Sequence, residues 1–327
     1  MKTRTEILNA IEKAPYSYRK SFIPKRNGTQ REINAPSEET KELQKAFSKI
    51  LLIKLPVSDY ARAFIPRLSN PVKTTCEEHR KFNYTISVDI KNFFPAIKPR
   101  DVNNCFQRNG ISFNTDQWEM VRKITFRGNG SRGIPMGSVC GPIISNAIMH
   151  DFDMNLFHKI QSITNSFCFT RYGDDIIISC NSGKTFPSII RTLYHQIHHN
   201  KSPKFRLNKA KTALFFKGQV RKIHGLFIGT DGRITIGGRK KRKLDIMLCK
   251  FSKNQLSIAE QISLQGKLAF AKNIEPYSIQ KLLDKYDAGL SEELNKLNIT
   301  HASSKEYNEA ELVKICEFLQ NELEIVV

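Results

Sequence analysis

The sequence predicts an α+β fold on three observations. The run 84–90 alternates with the period of a strand, placing Ile86, Val88 and Ile90 on one face and Thr85, Ser87 and Asp89 on the other. Two further strand-like runs, 166–171 and 176–179, are joined by Tyr172-Gly173-Asp174-Asp175, which reads as a hairpin with acids at its turn. Beyond Gly238 the pattern changes to helical spacing, with apolar residues recurring through 264–271 and 279–283.

In chain order, residues 5–12 carry an amphipathic helical pattern, and 22–36 place an Asn27-Gly28 turn between two extended segments, the pattern of a hairpin. A helix is expected over 38–55. The strand 84–90 follows as a half-buried element whose Asp89 points away from the apolar face. The uncharged stretch 133–150 is interrupted by three Gly, two Pro, two Ser and an Asn, so it reads as a loop running into a buried helix rather than a membrane span. Gly173 supplies the backbone freedom that the acidic turn needs. The run Arg239-Lys240-Lys241-Arg242-Lys243 then opens the helical tail, expected to form a lobe of its own. At 327 residues, the chain is expected to form two or three lobes sharing continuous cores.

Hydrophobic residues make up 40% and charged residues 25%, which excludes disorder over most of the length. Fifty-two Lys and Arg against 31 Asp and Glu give a net charge of +21, the footprint of a protein that neutralises many phosphates. An acidic membrane surface is the rival partner. The first twenty residues mix Lys, Arg and Glu and hold no signal-peptide core, so neither secretion nor a membrane partner is expected. Seven cysteines without a CxxC pair read as reduced cytosolic thiols, pointing to the cytoplasm. Cys76 with His79, and the group His195, His198 and His199, are weak zinc candidates because a structural zinc site needs four converging ligands.

The acids carry the chemistry. Transfer of a nucleotide is an in-line phosphoryl transfer in which one metal activates a hydroxyl and another holds the leaving pyrophosphate, and hard cations of this kind take carboxylate oxygens. A carboxylate at a strand end, Asp89, and a pair in a hairpin turn, Asp174 and Asp175, meet that need if the sheet brings them side by side. Taken singly, each acid also fits a bland role, Asp174 and Asp175 as a solvated turn and Asp89 as a cap of the next segment.

The segments Ser87-Val88-Asp89-Ile90-Lys91-Asn92-Phe93-Phe94 and Tyr172-Gly173-Asp174-Asp175 together resemble the catalytic motifs of reverse transcriptases. The resemblance extends over most of the chain. Ile23-Pro24-Lys25 through Gly28 and Arg31 to Pro36 is similar to the first fingers motif, and 133–146 to the Gly-x-Pro-Gln-Gly segment. Leu207-Asn208 with Lys211-Thr212 is similar to the Leu-Asn-x-x-Lys-Thr motif, and His224-Gly225-Leu226 falls where a primer-grip hairpin lies. The resemblance implies a right-hand polymerase, with fingers at 1–82, a palm at 83–238 whose antiparallel sheet packs on helices and which holds a fingers insertion near 101–132, and a helical thumb at 239–327. It implies that Asp89 and Asp174 are the principal metal ligands, that Asp175 assists, and that the Ile90 carbonyl is a backbone ligand. Two Mg²⁺ ions are the implied cofactors, with Mn²⁺ also suited to oxygen ligands. Lys25 and Arg31 would close on the incoming triphosphate, Met136 and Gly137 would line the nucleotide, and Lys211 would protonate the leaving pyrophosphate.

A Gly-Asp-Asp turn also marks viral RNA-dependent RNA polymerases, so the first motif makes the choice of product. Phe94, five residues after Asp89, stands where reverse transcriptases place an aromatic ring under the sugar, which leaves no room for a 2′-hydroxyl and makes deoxynucleotides the expected substrate. The bland reading is that Phe93 and Phe94 are both core residues.

The chain also resembles bacterial retron reverse transcriptases, with non-retron reverse transcriptases of antiphage defence as the next group. Ile236-Gly237-Gly238-Arg239, 266–270 and Pro276 are similar to the retron thumb. Four places depart from pattern. Met136 replaces Gln, Gly141-Pro142 stands where Ser-Pro is usual, Ile223-His224-Gly225 replaces Val-Thr-Gly, and only Asn70-Pro71 and a distant His79 occupy the region of Asn-Ala-x-x-His; Asn146-Ala147-Ile148-Met149-His150 spells that motif elsewhere in the chain. The retron resemblance implies that a structured noncoding RNA serves as template and primer, that its DNA product stays joined to it, that an effector protein is a partner, and that Arg239, Lys240, Lys241, Arg242 and Lys243 bind the RNA. The competing reading from another class is an RNA-binding scaffold without catalysis.

Overall fold

Strands pair where the sequence alternates, and helices begin where it offers a cap. The computed structural model describes residues 2–24, 28–66, 68–286 and 309–325. Helix α1 (Arg4–Lys13) starts on a capping box between Thr3 and Glu6. It is followed by an antiparallel hairpin of β1 (Tyr18–Pro24) and β2 (Gln30–Pro36). Ser37 caps α2 (Glu38–Lys54), whose Leu43, Phe47, Ile50 and Leu51 are buried. Helix α3 (Pro71–His79) leads into β3 (Tyr84–Asp89). Short α4 (Phe93–Ala96), α5 (Pro99–Arg108) and α6 (Thr115–Thr125) precede the long buried α7 (Gly141–Gln161). Then come β4 (Phe167–Tyr172), β5 (Asp175–Cys180), α8 (Phe186–His198) and β6 (Ala213–Phe215).

These four strands form one antiparallel sheet in the order β4-β5-β3-β6, so β3 and β5 are its central pair. Ile86 and Val88 of β3 and Ile176 and Ile178 of β5 join Ile144, Ile148 and Phe152 of α7 and Ile189 and Leu193 of α8 in one apolar core. Burial of each such side chain stabilises the fold by about 1.5–3 kcal/mol, which fixes the register and so the positions of the acids. The other sheet face was expected to be open, and it is not. Thr85 is fully buried where α3 covers that face, and Asp89, at the other end of the strand, is 4% exposed beside Asn208, Lys211 and Asp175. His79 from α3 bonds Ser179 Oγ through Nδ1 at 2.7 Å and Thr170 Oγ1 through Nε2 at 2.8 Å. Burial drives the His79 imidazole down to about 3, so it stays neutral and serves the core.

A second sheet of β7 (Arg221–Ile223), β8 (Leu226–Ile228) and β9 (Ile234–Thr235) turns at His224 and Gly225, both with positive φ. Its Ile223, Leu226 and Ile228 share a second core with Ile177 and with α9 (Gly238–Ser252), α10 (Ile258–Ile274) and α11 (Pro276–Leu283). The last helix, α12 (Glu309–Leu323), goes elsewhere: Ile315, Leu319 and Leu323 belong to the first core, and Glu322 pairs with Arg4 at 2.7 Å. The helical tail therefore divides between two cores, and its residues 287–308 lie outside the described residues. Among the described residues no helix is long and apolar enough to cross a membrane. All seven cysteines are free.

Candidate active site

The register of the central strands brings the acids together. Asp89 at the end of β3 pairs directly with Asp175 at the start of β5, and Asp174 occupies the tight turn between β4 and β5. Gly173 precedes it with φ +64°, a conformation that a side chain would strain. The Ile90 amide donates to the Asp174 carbonyl at 2.9 Å, tying the strand end to the turn. As a result, carboxylate oxygens of Asp89, Asp174 and Asp175 lie within 4.8 Å of one another, the one such ligand cluster among the described residues. Burial, followed by the charges of Asp175 and Asp89, pushes the Asp174 carboxyl up to about 6. Three crowded carboxylates at the mouth of an apolar sheet are the oxygen donor set that a hard divalent cation takes, and its charge would relieve their repulsion.

Neighbouring segments hold the acids in place. Asn208 donates its backbone amide to the Asp89 carbonyl at 2.8 Å and its side-chain amide to Asp89 Oδ1 at 3.0 Å. Lys211 Nζ reaches Asp89 Oδ2 at 2.5 Å. The bridge between Ile90 and Leu207 is closed by the Lys91 amide on the Arg206 carbonyl and the Asn208 amide on the Asp89 carbonyl, so Ile90 uses neither of its own backbone groups on that side. Its carbonyl is thereby left on the side of the acidic turn.

The turn has its own anchor below it. Arg171 is fully buried, donates to both oxygens of Asp153 at 2.9 Å and to Asn146 Oδ1 at 3.1 Å, and reaches the Gly173 carbonyl at 3.3 Å. Asn146 in turn donates to the Ala63 carbonyl at 3.0 Å. A paired and multiply bonded guanidinium of this kind fixes the backbone on which Asp174 sits.

Of the two adjacent rings, Phe93 is core, stacked on Phe205 with centroids 5.6 Å apart, and Phe94 is half-buried beside Phe64. Phe64 has a positive φ and sets its ring against Gly173, so Phe94, Phe64 and the turn are neighbours. Met136 and Gly137 adjoin the β1–β2 hairpin: the Met136 carbonyl accepts from the Asn34 amide at 2.7 Å, and a Cβ on Gly137, at φ +121°, would stand 2.5 Å from the Asn34 carbonyl oxygen. Arg31 is exposed on β2 opposite Ile23. Lys25 and the Asn27 of the predicted turn lie outside the described residues. In the basic run, Arg239, Arg242 and Lys243 are exposed in the first turns of α9. Lys240 and Lys241 have partners within the protein, the Gly225 carbonyl at 2.9 Å and Glu275 at 2.6 Å.

Sequence reasoning passed over Asn208 as an orienting group, the Arg171–Asp153–Asn146 anchor, and the approach of His224, read there as part of a primer-grip hairpin, to Asp175. His224 is 6% exposed by its side chain, packs on Tyr172 with centroids 4.8 Å apart, and places Nδ1 3.5 Å from Asp175 Oδ2. Its signal was present as the departure from Val-Thr-Gly. The three exposed-looking histidines at 195, 198 and 199 cluster on α8 without a fourth ligand, and among the described residues they form no metal-ligand group.

Comparison with known proteins agrees with this geometry. The family model for reverse transcriptase (RNA-dependent DNA polymerase) matches residues 23–248. The retron Ec73 reverse transcriptase of Escherichia coli is 29% identical over 285 residues, covering 84% of this chain and 89% of that protein. The retron Ec83 reverse transcriptase of Escherichia coli is 24% identical over 292 residues, covering 88% and 92%. Among solved structures, telomerase from Candida albicans in complex with a fragment of telomeric RNA aligns with a TM-score of 0.50 at 13% identity, over 94% of this chain and 63% of that one, a likeness of fold alone. With its right-hand polymerase fold and its acidic cluster inside the matched segment, the chain belongs to the reverse transcriptases, the RNA-dependent DNA polymerases, and over most of its length it is similar to the retron enzymes.

Proposed function

We propose that this reverse transcriptase copies a structured noncoding RNA into a short DNA that remains joined to it, beginning at a 2′-hydroxyl within that RNA, as part of antiphage defence in the cytoplasm with an effector protein as partner. The observation that carries the chemistry is the convergence of the Asp89, Asp174 and Asp175 carboxylates within 4.8 Å at the edge of the apolar sheet. Two Mg²⁺ ions, or Mn²⁺, when bound there supply activation of the primer hydroxyl and neutralisation of the leaving pyrophosphate. Asp89 and Asp174 hold them, Asp175 assists, and the Ile90 carbonyl adds a backbone oxygen.

The chain's own groups do the rest. Asn208 orients the Asp89 carboxylate, and Lys211, in contact with Asp89, delivers a proton to the leaving group. Phe94 lies under the deoxyribose and excludes a 2′-hydroxyl, Met136 and Gly137 line the nucleotide, and Lys25 and Arg31 on the hairpin grip its triphosphate. Arg239, Arg242 and Lys243, with Lys240 and Lys241 behind them, contact RNA phosphates. Residues 1–82 act as fingers, 83–238 as palm with a fingers insertion near 101–132, and the tail from 239 as thumb; the packing of α12 in the first core supports assigning that helix to the fingers side.

The test is to purify the protein with its native locus, extract the nucleic acid bound to it, and treat it with RNase, DNase and a debranching enzyme. A short DNA that shortens with RNase and loses a 2′,5′ link on debranching supports the proposal. Unlinked or protein-linked DNA moves the chain to a different priming route, a reading that the replacement of Val-Thr-Gly by Ile223-His224-Gly225 favours. RNA alone, even with deoxynucleotides and Mg²⁺ supplied, sinks it.

A further inference from the structure

A groove of about 870 Å³ runs along the palm beside the strand end that carries Asp89. Three separate stretches of chain build it: Lys91 to Asn104, Arg132, and Lys201 to Arg206. Its walls present Lys91, Arg100, Arg132, Lys201, Lys204 and Arg206, all exposed and none in an ion pair among the described residues. Lys98 also lines it, and its ammonium donates to the Ser131 carbonyl. The single acid in the lining, Asp101, is already engaged by the Lys98 amide and by the Ser202 hydroxyl. Seven cations gathered from three segments around one carboxylate leave the groove strongly positive, a field that draws in a polyanion.

We propose that this groove is a second RNA-binding site, which holds a single-stranded stretch of RNA backbone outside the cleft where template and primer pair. The inference rests on the reading of the chain as an RNA-bound reverse transcriptase. A polyanion suits the groove better than a nucleotide triphosphate or pyrophosphate. Its cations are more numerous than one such group needs, they line an open channel rather than converge on a point, and they include only Lys91 and Arg206 close to the metal strand. Among the described residues no aromatic side chain lines the groove. Recognition therefore runs through phosphates without base stacking, indifferent to sequence.

The test is a triple variant, Arg100→Gln/Lys204→Gln/Arg132→Gln, one position from each stretch, made in the full chain and compared with Lys49→Gln/Lys54→Gln/Lys184→Gln, which removes the same charge elsewhere. The probe is a fluorescein-labelled RNA hairpin with a single-stranded flank, titrated over a series of salt concentrations; extension of oligo(dT) on poly(rA) and its inhibition by pyrophosphate are measured in parallel. Loss of three single-strand phosphate contacts lowers the slope of log affinity against log salt by about 2 and weakens binding by roughly tenfold or more at moderate salt. The control variant changes neither quantity by as much, and extension of the simple primer keeps its rate and its KM for dTTP. An unchanged salt slope overturns the proposal. So does a raised KM for dTTP or a changed pyrophosphate inhibition with RNA affinity intact, which would assign the groove to the triphosphate. If instead the unsubstituted chain extends no primer, the polymerase reading fails, and the RNA titration still reports on the groove.

Discussion

Lys211 Nζ lies 2.5 Å from Asp89 Oδ2 while Asn208 holds the other oxygen of the same carboxylate at 3.0 Å. If Asp89 holds a metal ion as proposed, a lysine this close competes with the cation for one oxygen, and under the same proposal it is the group that would meet the charge of the leaving pyrophosphate. Lys211→Met separates these effects. The apparent affinity for Mn²⁺, read by its paramagnetic resonance, is expected to rise several-fold as the competitor goes. Single-turnover incorporation is expected to fall by about 100-fold, the lower end of what a positioned general acid contributes. An unchanged rate with tighter metal binding would leave Lys211 as a counter-ion only.

Asp174 makes the metal-free protein sensitive to pH. Its carboxyl is pushed up to about 6, first by burial and then by Asp175 and Asp89, so folding favours its protonated form. The stability it contributes is fully present below its ordinary value of 3.8 and is lost as pH rises through 6. A shift of about two pKa units corresponds to at most about 3 kcal/mol. In chelator, Asp174→Asn is therefore expected to be more stable than the parent near neutral pH by up to that amount, with the difference closing toward about pH 4 as the parent carboxyl protonates. Added Mg²⁺ should raise the parent's Tm at neutral pH and leave that of the variant nearly unmoved. Denaturation with and without metal at each pH measures both. DNA synthesis is expected to be lost in the variant and RNA binding retained, an outcome that also excludes a purely scaffolding role.

How much of this was legible beforehand follows from distance along the chain. The triad could be read because each acid sits in a local pattern, a strand end or a glycine turn, and because the alternation of β3 fixes which side its Asp89 takes. The burial of that side could not be read, since it depends on His79 meeting Thr170, 91 residues away, and on Asn208 meeting Asp89, 119 residues away. The same holds for Arg171, whose partners Asp153 and Asn146 are 18 and 25 residues distant on a different element. The tail after 238 was legible as helical, but that pattern does not say which core receives each helix, and α12 joins α2 rather than α9, α10 and α11. The basic groove escaped notice because its cations are interspersed with other residues over three separate stretches, whereas the run at 239–243 is contiguous.

The Arg171–Asp153 pair sits at zero exposure directly beneath the acidic turn. Removing one partner leaves an uncompensated buried charge, so Arg171→Met and Asp153→Leu are each expected to destabilise the protein by about 3–5 kcal/mol. The double variant Arg171→Met/Asp153→Leu is expected to recover much of that stability in chemical denaturation, because both charges leave together. It should not recover activity, since the bond from Arg171 to the Gly173 carbonyl, which positions Asp174, is gone as well. Recovery of both would show that the pair serves stability alone.

Phe94 offers the sharpest check on the product. Its ring is half-buried between Phe93 and Phe64, and Phe64 touches the acidic turn, so the three form one wall beside the metal site. Shortening Phe94 opens that wall and removes its edge contact with the core ring of Phe93, while Phe93 itself keeps the buried position. Phe94→Ala is therefore expected to lower stability by about 1–2 kcal/mol, less than a fully buried ring would cost, and to relax selection against ribonucleotides. A pocket that discriminates by shape alone gains or loses about 10- to 200-fold on such a change. The ratio of kcat/KM for dTTP to that for UTP, on one template and primer, should fall within that range, mostly through a rise in the UTP value. A ratio that stays constant while both values drop would mean that Phe94 supports the turn through Phe64 and that another side chain reads the sugar.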